Sequence, residues 1–512
     1  MASAVQAEEC PPLTGWKLWA AAVSLALANF VVVLDTTIAN VSVPHIAGGL
    51  AISPTQGTWA ITSYAVADAI SVPLTGWLAA RFGSVRWYLM SMVGFGVFSL
   101  LCGLSRSIDA LIIFRVLQGL SGGPLMPLSQ TLLLRIFPRD KAAVGLSIWA
   151  MTTTSAPIIG PILGGLISDN WSWPWIFFIN LPVVGLCIFS VRNLVLRFDT
   201  KPVKKKIDLG GLLLLVVAVG AFQIMLDTGR ENDWFASGWV LGLAIVAAIA
   251  FALFIAWELT EAEPIVDIRV FRNRGFAAGT VAISLAYGAF FASVVLTPLW
   301  LQQVVGYSAT QSGFTVAWIG VFAVALSPVA ARLIGRVDLR ITVCAGIVWM
   351  GFVSSLRTGW TADVDYWTLA IPQLLQGIGM PFFFIGLTAL ALSSVPTKDQ
   401  VSAAGLMSFM RTLSGAIATA LATSAWDTSG RVARSDSVAL LNNPAGVMAK
   451  LQDAGMTLEQ SRSVIERLVD TQASTLGVLH VYVMAAISFG LAAVAVWFAP
   501  KPKAGAEMPS SH

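Results

Sequence analysis

Four ionisable side chains stand inside long apolar runs: Asp35, Asp68, Arg115 and Arg411. A charged group in a hydrocarbon layer is costly, so such residues face a protein interior or a wet cavity. A carboxylate taken out of water favours its protonated form, and a guanidinium close by favours the ionised form. A carboxylate and an arginine that approach and separate can therefore load and release a proton. On that chemistry Asp35 is the expected proton carrier and Asp68 a second acid or a cation-recognition group, while Arg115 is the charge that tunes both. The competing reading of the same residues is a structural ion pair that only orients helices.

Helical spacing groups these residues with polar neighbours. Asp68 shares a face with Tyr64, Ser71 and Thr75, and Arg115 shares one with Gln118, Gly119, Gly122 and Met126. Asp35 has Thr36 beside it and Ser42 seven residues further on. These faces are expected to line a common central cavity. Arg411, in Phe409-Met-Arg-Thr-Leu-Ser-Gly415, has no acidic partner in any C-terminal apolar run. It is expected to snorkel toward a surface, or to meet backbone carbonyls or a carboxylate from the other half. Its expected role is structural or gating, not substrate contact.

Substrate walls need side chains that adapt to varied apolar shapes, which aromatic rings and methionines do. The candidates at mid-depth are Tyr64, Trp149, Met151, Tyr287, Phe290, Phe291, Phe383, Phe384, Met407 and Met410, with Gln118 and Met126 beside them. Ordinary helix packing or lipid contact is the competing reading for any single one.

Several chemistries are excluded by what is missing. The four cysteines (Cys10, Cys102, Cys187, Cys344) are scattered, without a CxxC, and the three histidines form no ligand cluster. No metal site or resident cofactor is expected. There is no GxxxxGK[ST] for nucleotide hydrolysis, and no Ser/His or paired-Asp constellation with catalytic spacing. The chain reads as a non-enzyme driven by the proton-motive force. Its net charge of +4 comes from basic residues dispersed among short loops, which argues against nucleic acid.

The elements that must position these residues are membrane spans. The chain of 512 residues is 56% hydrophobic and 11% charged, against about a quarter charged for a soluble domain. Fourteen apolar spans are expected near 17–43, 57–79, 87–105, 108–133, 142–168, 174–194, 209–227, 237–257, 276–300, 310–331, 341–359, 367–393, 403–425 and 477–499. Lysine and arginine placement puts both termini inside. The inner loops then hold Arg81 and Arg86; Arg135, Arg139 and Lys141; Arg192, Arg197, Lys201 and 204–206; Arg269, Arg272 and Arg274; and Arg332, Arg336 and Arg340. The short outer loops hold only Arg106, Arg230 and Arg357. The acidic N-terminus, with Glu8 and Glu9, lacks the basic region of a cleavable signal, so the first apolar run is read as a true span.

An internal repeat organises the spans. Val116-Leu-Gln-Gly-Leu-Ser121 resembles Leu374-Leu-Gln-Gly-Ile-Gly379, and the loop Pro73…Arg86 is echoed by Pro328…Arg336. Both echoes are shifted by eight spans, as two six-span halves with two inserted spans would require. The expected organisation is an N-terminal tail (1–16), a first half (17–194), a basic loop (195–208) and the inserted pair (209–257). A linker (258–275), a second half (276–499) and a C-terminal tail (500–512) follow. The segment 427–476 is read as an outer, partly helical loop, with Thr457 capping a helix and Gln460 answering it.

Ala156-Pro-Ile-Ile-Gly-Pro-Ile-Leu-Gly-Gly165 carries two prolines and three glycines in an uncharged run. Gly160, Gly164 and Gly165 fall on roughly one side, which lets another backbone approach closely. With Pro161 among them, the stretch is expected to be a hinge that shapes the interface along which the halves separate.

The chain resembles the drug:proton antiporters of the major facilitator superfamily, in their fourteen-span branch, from about residue 16 to 500. Gly76-Trp-Leu-Ala-Ala-Arg-Phe-Gly-Ser-Val-Arg86 is similar to the superfamily's loop 2–3 motif, with its Gly76, Arg81, Gly83 and Arg86. Leu111-Ile-Ile-Phe-Arg-Val-Leu-Gln-Gly119 is similar to the helix-four motif, and 156–165 to the helix-five antiporter motif. Leu34-Asp-Thr-Thr-Ile-Ala-Asn-Val41 and Trp173-Pro-Trp-Ile-Phe-Phe-Ile-Asn-Leu-Pro182 are similar to signatures of the branch. Gln56–Ser63, Gln223–Asp227 and Pro264–Asp267 further resemble the inner-membrane subunits of Gram-negative tripartite exporters.

The resemblance implies an all-α polytopic major facilitator fold with fourteen helices arranged 6+2+6, in the bacterial inner membrane. It implies export of hydrophobic toxic compounds against protons, with an EmrA-type periplasmic adaptor and an outer-membrane channel as partners. The same machinery exporting a defined metabolite or a fatty acid is the alternative, ahead of a non-transporting receptor or scaffold. Family knowledge places proton coupling on Asp35 and Arg115. Two departures stand out: Ala80 replaces the usual acid of the loop 2–3 motif, and Ala156 replaces the usual glycine of the antiporter motif.

Overall fold

The computed structural model describes residues 13–138, 142–203, 208–230, 232–334, 337–396, 399–439 and 444–500. Arg139, Lys141, 204–206 and Arg336, all expected in basic loops, lie outside the described residues, as do Glu8, Glu9 and Cys10. Met151 and Pro161 lie in a helix but outside the side chains described.

Among the described residues the chain forms helices and no strand, as it must if it spans lipid without closing a barrel. Each backbone N–H then finds its acceptor within its own segment. The first half holds α1 (Gly15–Leu50), α2 (Pro54–Phe82), α3 (Ser84–Leu104), α4 (Ile108–Gly122), α5 (Leu125–Ile136), α6 (Ala142–Asn170), α7 (Trp175–Phe178) and α8 (Asn180–Leu194). Next come α9 (Leu209–Gly229) and α10 (Gly238–Thr260). The remainder is α11 (Arg274–Trp300), α12 (Ala309–Ile334), α13 (Leu339–Leu356), α14 (Tyr366–Ser393), α15 (Gln400–Ala439), α16 (Pro444–Asp453) and α17 (Leu458–Val496). Eleven helices among the described residues, counting α4–α5 and α7–α8 as one each, are long and apolar enough to cross a membrane.

Prolines sit inside α1 (Pro44), α2 (Pro73), α11 (Pro298), α12 (Pro328) and α14 (Pro372, Pro381). Neighbouring helices tolerate such breakers in a membrane bundle. The run read as one span over 108–133 is broken at Gly123-Pro124, between α4 and α5. That break faces α2. A Cβ on Gly119 would stand 2.5 Å from the Tyr64 carbonyl oxygen, and one on Gly123 would stand 2.9 Å from that of Asp68. Close seating of α4 on α2 is what brings Arg115 inward.

The last two long helices differ from expectation. The sequence places them at 403–425 and 477–499, with a partly helical outer loop between them. Instead α15 runs 40 residues and α17 runs 39. At 1.5 Å per residue each is about 60 Å long, roughly twice a bilayer's hydrocarbon core. Their excess projects as a pair tied by Arg434, which bonds Asp470 at 2.6 Å and Glu466 at 3.3 Å. Thr457 does cap α17, in a capping box with Gln460.

The two halves meet along two seams. On one, α2 lies against α15, where a Cβ on Gly76 would stand 3.1 Å from the Ser402 Cα. On the other, α6 lies against α12, with Ile162 filling the space beside Gly313. The inserted α9 rests on α2 and α15. Its far end is clasped to α15 by Arg230 on Asp427 at 2.5 Å and by the Trp234 indole N–H on the Ser424 hydroxyl at 2.9 Å. The outer face of α10 is largely exposed, with Trp239, Ile249 and Leu253 all more than half accessible, a surface suited to lipid.

Candidate functional site

Asp35 on α1 and Arg115 on α4 meet in the interior of the first half. Arg115 Nη1 donates to Asp35 Oδ2 at 2.5 Å, and the two residues are 0% and 2% exposed. The carboxylate is held from its other oxygen as well. Asp35 Oδ1 accepts from Gln118 Nε2 at 3.1 Å and from Asn180 Nδ2 at 2.7 Å. The guanidinium also donates through Nε to the Ala60 carbonyl at 2.9 Å and through Nη1 to Gln118 Oε1 at 3.0 Å. Its flat face lies 4.2 Å from the centre of the Tyr64 ring, a cation–π contact. Arg115 Nη2 has no partner among the described residues.

Local sequence explains this convergence. Arg115 and Gln118 are three apart, so one face of α4 presents both. Tyr64 projects from α2 beneath them. Asn180 opens α8 just after the Trp173-Pro-Trp turn, and its Nδ2 also donates to Ser99 of α3 at 3.1 Å. Five helices thus contribute to one carboxylate's environment. Charge-assisted bonds of this kind are about twice as strong as neutral ones. A buried pair with its remaining lone pairs satisfied is the arrangement in which attraction can offset desolvation.

Asn180 was missed as a site residue. Its signal was available: one amide inside the apolar run Ile176-Phe-Phe-Ile-Asn-Leu. Gln118, expected on the substrate wall, is engaged in this cluster instead, and Tyr64 is 1% exposed beneath the guanidinium. Both hold the ion pair.

Asp68 stands apart. It lies one turn beyond Tyr64 on α2, half-buried, and among the described residues it forms no ion pair. Asp35 and Arg115 are sealed together, Asp68 lies outside their hydrogen bonds, and Tyr64 is within electrostatic reach of all three. Tyr287 on α11 lies within electrostatic reach of both Asp68 and Arg411.

Arg411 does not snorkel, and among the described residues it meets no carbonyl or carboxylate. It is 1% exposed, on the length of α15 that crosses the bundle. Its guanidinium lies 5.2 Å from the Trp149 ring centre and 5.5 Å from that of Tyr287, and Nη2 points at the Met126 sulfur. Snorkelling fails because the residue sits mid-helix, too far from either end for its side chain to reach water. Arg357, placed among outer-loop arginines, is also inside: it is 1% exposed and donates to Gln373 and Gln376 of α14. Gln376 belongs to the repeated Leu-Gln-Gly, so each copy of that motif holds a buried arginine.

The aromatic candidates cluster. The rings of Tyr287 and Phe384 are 6.0 Å apart, those of Phe290 and Phe384 5.9 Å, and those of Phe383 and Phe384 4.4 Å. Phe291 stacks on Tyr287 at 5.6 Å. Met407 is fully buried, and Met410 and Met126 are partly so. The Trp149 indole N–H donates to Ser129 Oγ at 3.0 Å, which fixes its ring beneath Arg411.

The glycines of 156–165 face a partner inside their own half. A Cβ on Gly160 would stand 2.0 Å from Thr37 Oγ1, and one on Gly164 would stand 3.1 Å from the Ile38 carbonyl oxygen. Both are contacts with α1, and Gly165 is buried as well. The side of α6 that meets the second half is carried by Ile162 against Gly313. The stretch expected to shape the interface between the halves thus reaches the second half through Ile162, while its glycines seat it on α1. It follows from register, because Ile162 is two residues from both Gly160 and Gly164, on the opposite side of the helix.

In the loop 2–3 motif, Gly83 has φ +92°, a conformation that favours glycine. Asp199 fills the space beside it, accepting from Val85 N at 2.8 Å and pairing with Arg86 at 3.3 Å. A carboxylate thus returns to the motif from the loop after α8, while the Ala80 carbonyl accepts from Val203 N at 2.8 Å. Arg81 lies 5.4 Å over the Trp77 ring.

Known proteins share this architecture. Multidrug export protein EmrB of Escherichia coli K12 is 42% identical over 497 residues, covering 96% of this chain and 97% of that protein. Fatty acid resistance protein FarB of Neisseria gonorrhoeae is 39% identical, covering 96% and 98%. Among solved structures, the proton:xylose symporter XylE bound to 6-bromo-6-deoxy-D-glucose superposes with a TM-score of 0.58 at 12% identity, covering 95% of this chain and 97% of that one, a likeness of fold. A sequence model of the Major Facilitator Superfamily matches residues 25–419, and the chain, a multi-pass membrane transporter, belongs to that family.

Proposed function

We propose that the protein is a proton-coupled exporter of hydrophobic toxic compounds, a drug:H⁺ antiporter acting in multidrug efflux and antibiotic resistance. The observation that carries this reading is the sealed Asp35–Arg115 pair with its amide partners Gln118 and Asn180. Protonation of Asp35 Oδ2 removes the counter-charge of Arg115. The guanidinium then keeps the Ala60 carbonyl and Gln118 Oε1 as hydrogen-bond acceptors, with the Tyr64 ring against it. Because α1, α2, α4 and α8 all hold that pair, its loss changes how they pack. Release of the proton restores it. Asp68 is a second acid in the cycle. The names of the relatives, a multidrug exporter and a fatty acid resistance protein, support export. The second of these keeps a fatty acid in view as the alternative cargo.

In this reading the long helices make fourteen spans, arranged 6+2+6, with both termini cytoplasmic and the domain boundaries given above. The protein resides in the bacterial inner membrane and passes cargo to an EmrA-type adaptor and an outer-membrane channel. The aromatic cluster of Tyr287, Phe290, Phe383 and their neighbours, with Trp149, Met151, Met126 and Met407, forms the substrate wall. Gly160, Pro161, Gly164 and Gly165 of α6 act as a hinge against α1, and Gly76, Arg81, Gly83 and Arg86 gate the α2–α15 seam, with Arg411 bridging the halves.

The test is export from proteoliposomes under an imposed pH gradient, comparing the intact chain with Asp35→Asn and Asp68→Asn. Export should collapse with the gradient and in Asp35→Asn. Export that persists without a gradient, or proton-driven export by Asp35→Asn, defeats the proposal.

A further inference from the structure

The inserted helices α9 and α10 stand outside the internal repeat, and proton coupling at Asp35 and Arg115 makes no use of them. Their position gives them a task. Toward one end of their seam, α2 and α15 touch directly. A Cβ on Gly76 would stand 3.1 Å from the Ser402 Cα, and one on Gly405 would stand 3.5 Å from the Val72 carbonyl oxygen. Toward the other end, which the export reading places outside, α9 lies against both helices at once. On the first half, Val66 of α2 is 3.9 Å from where a Cβ on Gly220 would stand, and Asp227 is within hydrogen-bonding reach of Thr62. On the second half, Met225 and Leu226 belong to one apolar cluster with Ile417 and Ala420 of α15. Thus α9 joins the two halves along the outer part of this seam.

The joint to α15 ends in a clasp suited to release. Arg230 grips Asp427 through Nε to Oδ2 at 2.5 Å and through Nη2 to Oδ1 at 3.2 Å, and the Trp234 indole N–H donates to Ser424 Oγ at 2.9 Å. The two charged side chains are 49% and 38% exposed. A pair this open to solvent is screened by salt and adds little to standing stability, so it breaks readily. The turn that aims Trp234 is strained as well. Asp233 and Trp234 both have φ +52°, a left-handed conformation that residues with a side chain rarely adopt. Such strain persists only where surrounding contacts over-determine it. Here those contacts are the Ser424 hydroxyl and the end of α9, where a Cβ on Gly229 would stand 2.7 Å from the Trp234 ring. Opening the clasp therefore also relieves the turn.

Two halves that rock about a central site must part at their outer ends. A helix joined to both must then let go of one. At the α2 joint Thr62 is 7% exposed, whereas the α15 joint ends in the open ion pair. Release belongs at α15.

We propose that Arg230, Trp234, Ser424 and Asp427 form an outer latch, by which the inserted pair holds the halves together at the α2–α15 seam until the bundle opens outward to discharge cargo. This rests on the export reading and gives the inserted helices a role in it.

The test reads the latch first without any gradient. Spin labels on Arg106→Cys in the α3–α4 loop and Thr361→Cys in the α13–α14 loop, with Cys10→Ser and Cys344→Ser, report the separation of the outer ends in the purified full chain. Asp427→Arg sets two cations against each other and should raise the population at the longer separation about threefold or more. Arg230→Asp combined with Asp427→Arg rebuilds the pair and should return that population to the level of the intact latch, which also shows that the variants are folded. A distribution that Asp427→Arg leaves unchanged, or that the reversed pair does not restore, overturns the proposal. A second arm joins Arg230→Cys to Asp427→Cys with a short bis-methanethiosulfonate in proteoliposomes under a pH gradient. Export should stop, and return on reduction. Cross-linked protein that exports as before, or a block that reduction does not lift or that either single-cysteine variant shares, counts against the latch. Absence of gradient-driven export before cross-linking defeats the export reading, and the spin-label distances then decide the latch alone.

Discussion

Removing either partner of the Asp35–Arg115 pair should destabilise the protein about as much as removing both. The two side chains are 1% and 0% exposed and 2.5 Å apart. In Arg115→Met, Asp35 keeps the amides of Gln118 and Asn180 but loses its counter-charge. In Asp35→Asn the remaining oxygen can still accept from those two amides. The new NH₂ group then faces Arg115 Nη1, donor against donor, and the guanidinium is left charged. Breaking a buried pair from one side costs about 3–5 kcal/mol, because an uncompensated charge stays behind. The double variant leaves no such charge, so it should be no less stable than the worse single variant. The interaction energy is then roughly 3 kcal/mol, at the upper end for contacting residues. The assay is denaturant unfolding of purified protein in micelles, followed by tryptophan fluorescence, for all four corners of the cycle. If the two single effects add to within about 0.5 kcal/mol in the double variant, the pair is not the energetic unit argued here.

Gly160→Val should clash with Thr37 of α1, since its Cβ would stand 2.0 Å from Thr37 Oγ1, at about 1–3 kcal/mol of overpacking strain. Export in proteoliposomes should fall sharply, and a normal rate would return the stretch to passive packing. Asp199→Ala removes the acceptor of Val85 N at 2.8 Å and should cost about 0.5–2 kcal/mol, as loss of a helix cap does, read as a lower melting temperature. Asp365, at the start of α14, is held below the usual carboxylate range by the Thr368 hydroxyl and by the amide groups of Thr368 and Trp367. A depressed carboxylate stabilises above its unfolded value of about 3.9 and loses that contribution as pH falls through the folded value. The stability gap between the intact chain and Asp365→Asn should therefore be constant near neutral pH and close below about pH 4, and a gap that widens on acidification would contradict the sign.

The linear chain announces the membrane architecture because lipid enforces a simple rule: apolar residues in runs of fixed length, with ionisable ones only where function or pairing demands. Asp35, Arg115 and Arg411 were visible for that reason, and so was the capping box at Thr457. The ends of α15 and α17 were not, because helix can continue into water without any apolar signal once its polar faces pair, as Arg434 does with Asp470.

What sequence alone determined was therefore the identity of the buried charges and the helices that carry them. Partnership was decided only by the tertiary structure. Asp35 and Arg115 are 80 residues apart, and Asn180 is 145 residues from Asp35. No periodicity can assign such contacts, because they depend on which glycine faces let α4 settle on α2 and α6 on α1. The same packing put Asp68 outside that cluster, turned the Gly160 face toward α1, and left Arg411 among two rings and a sulfur.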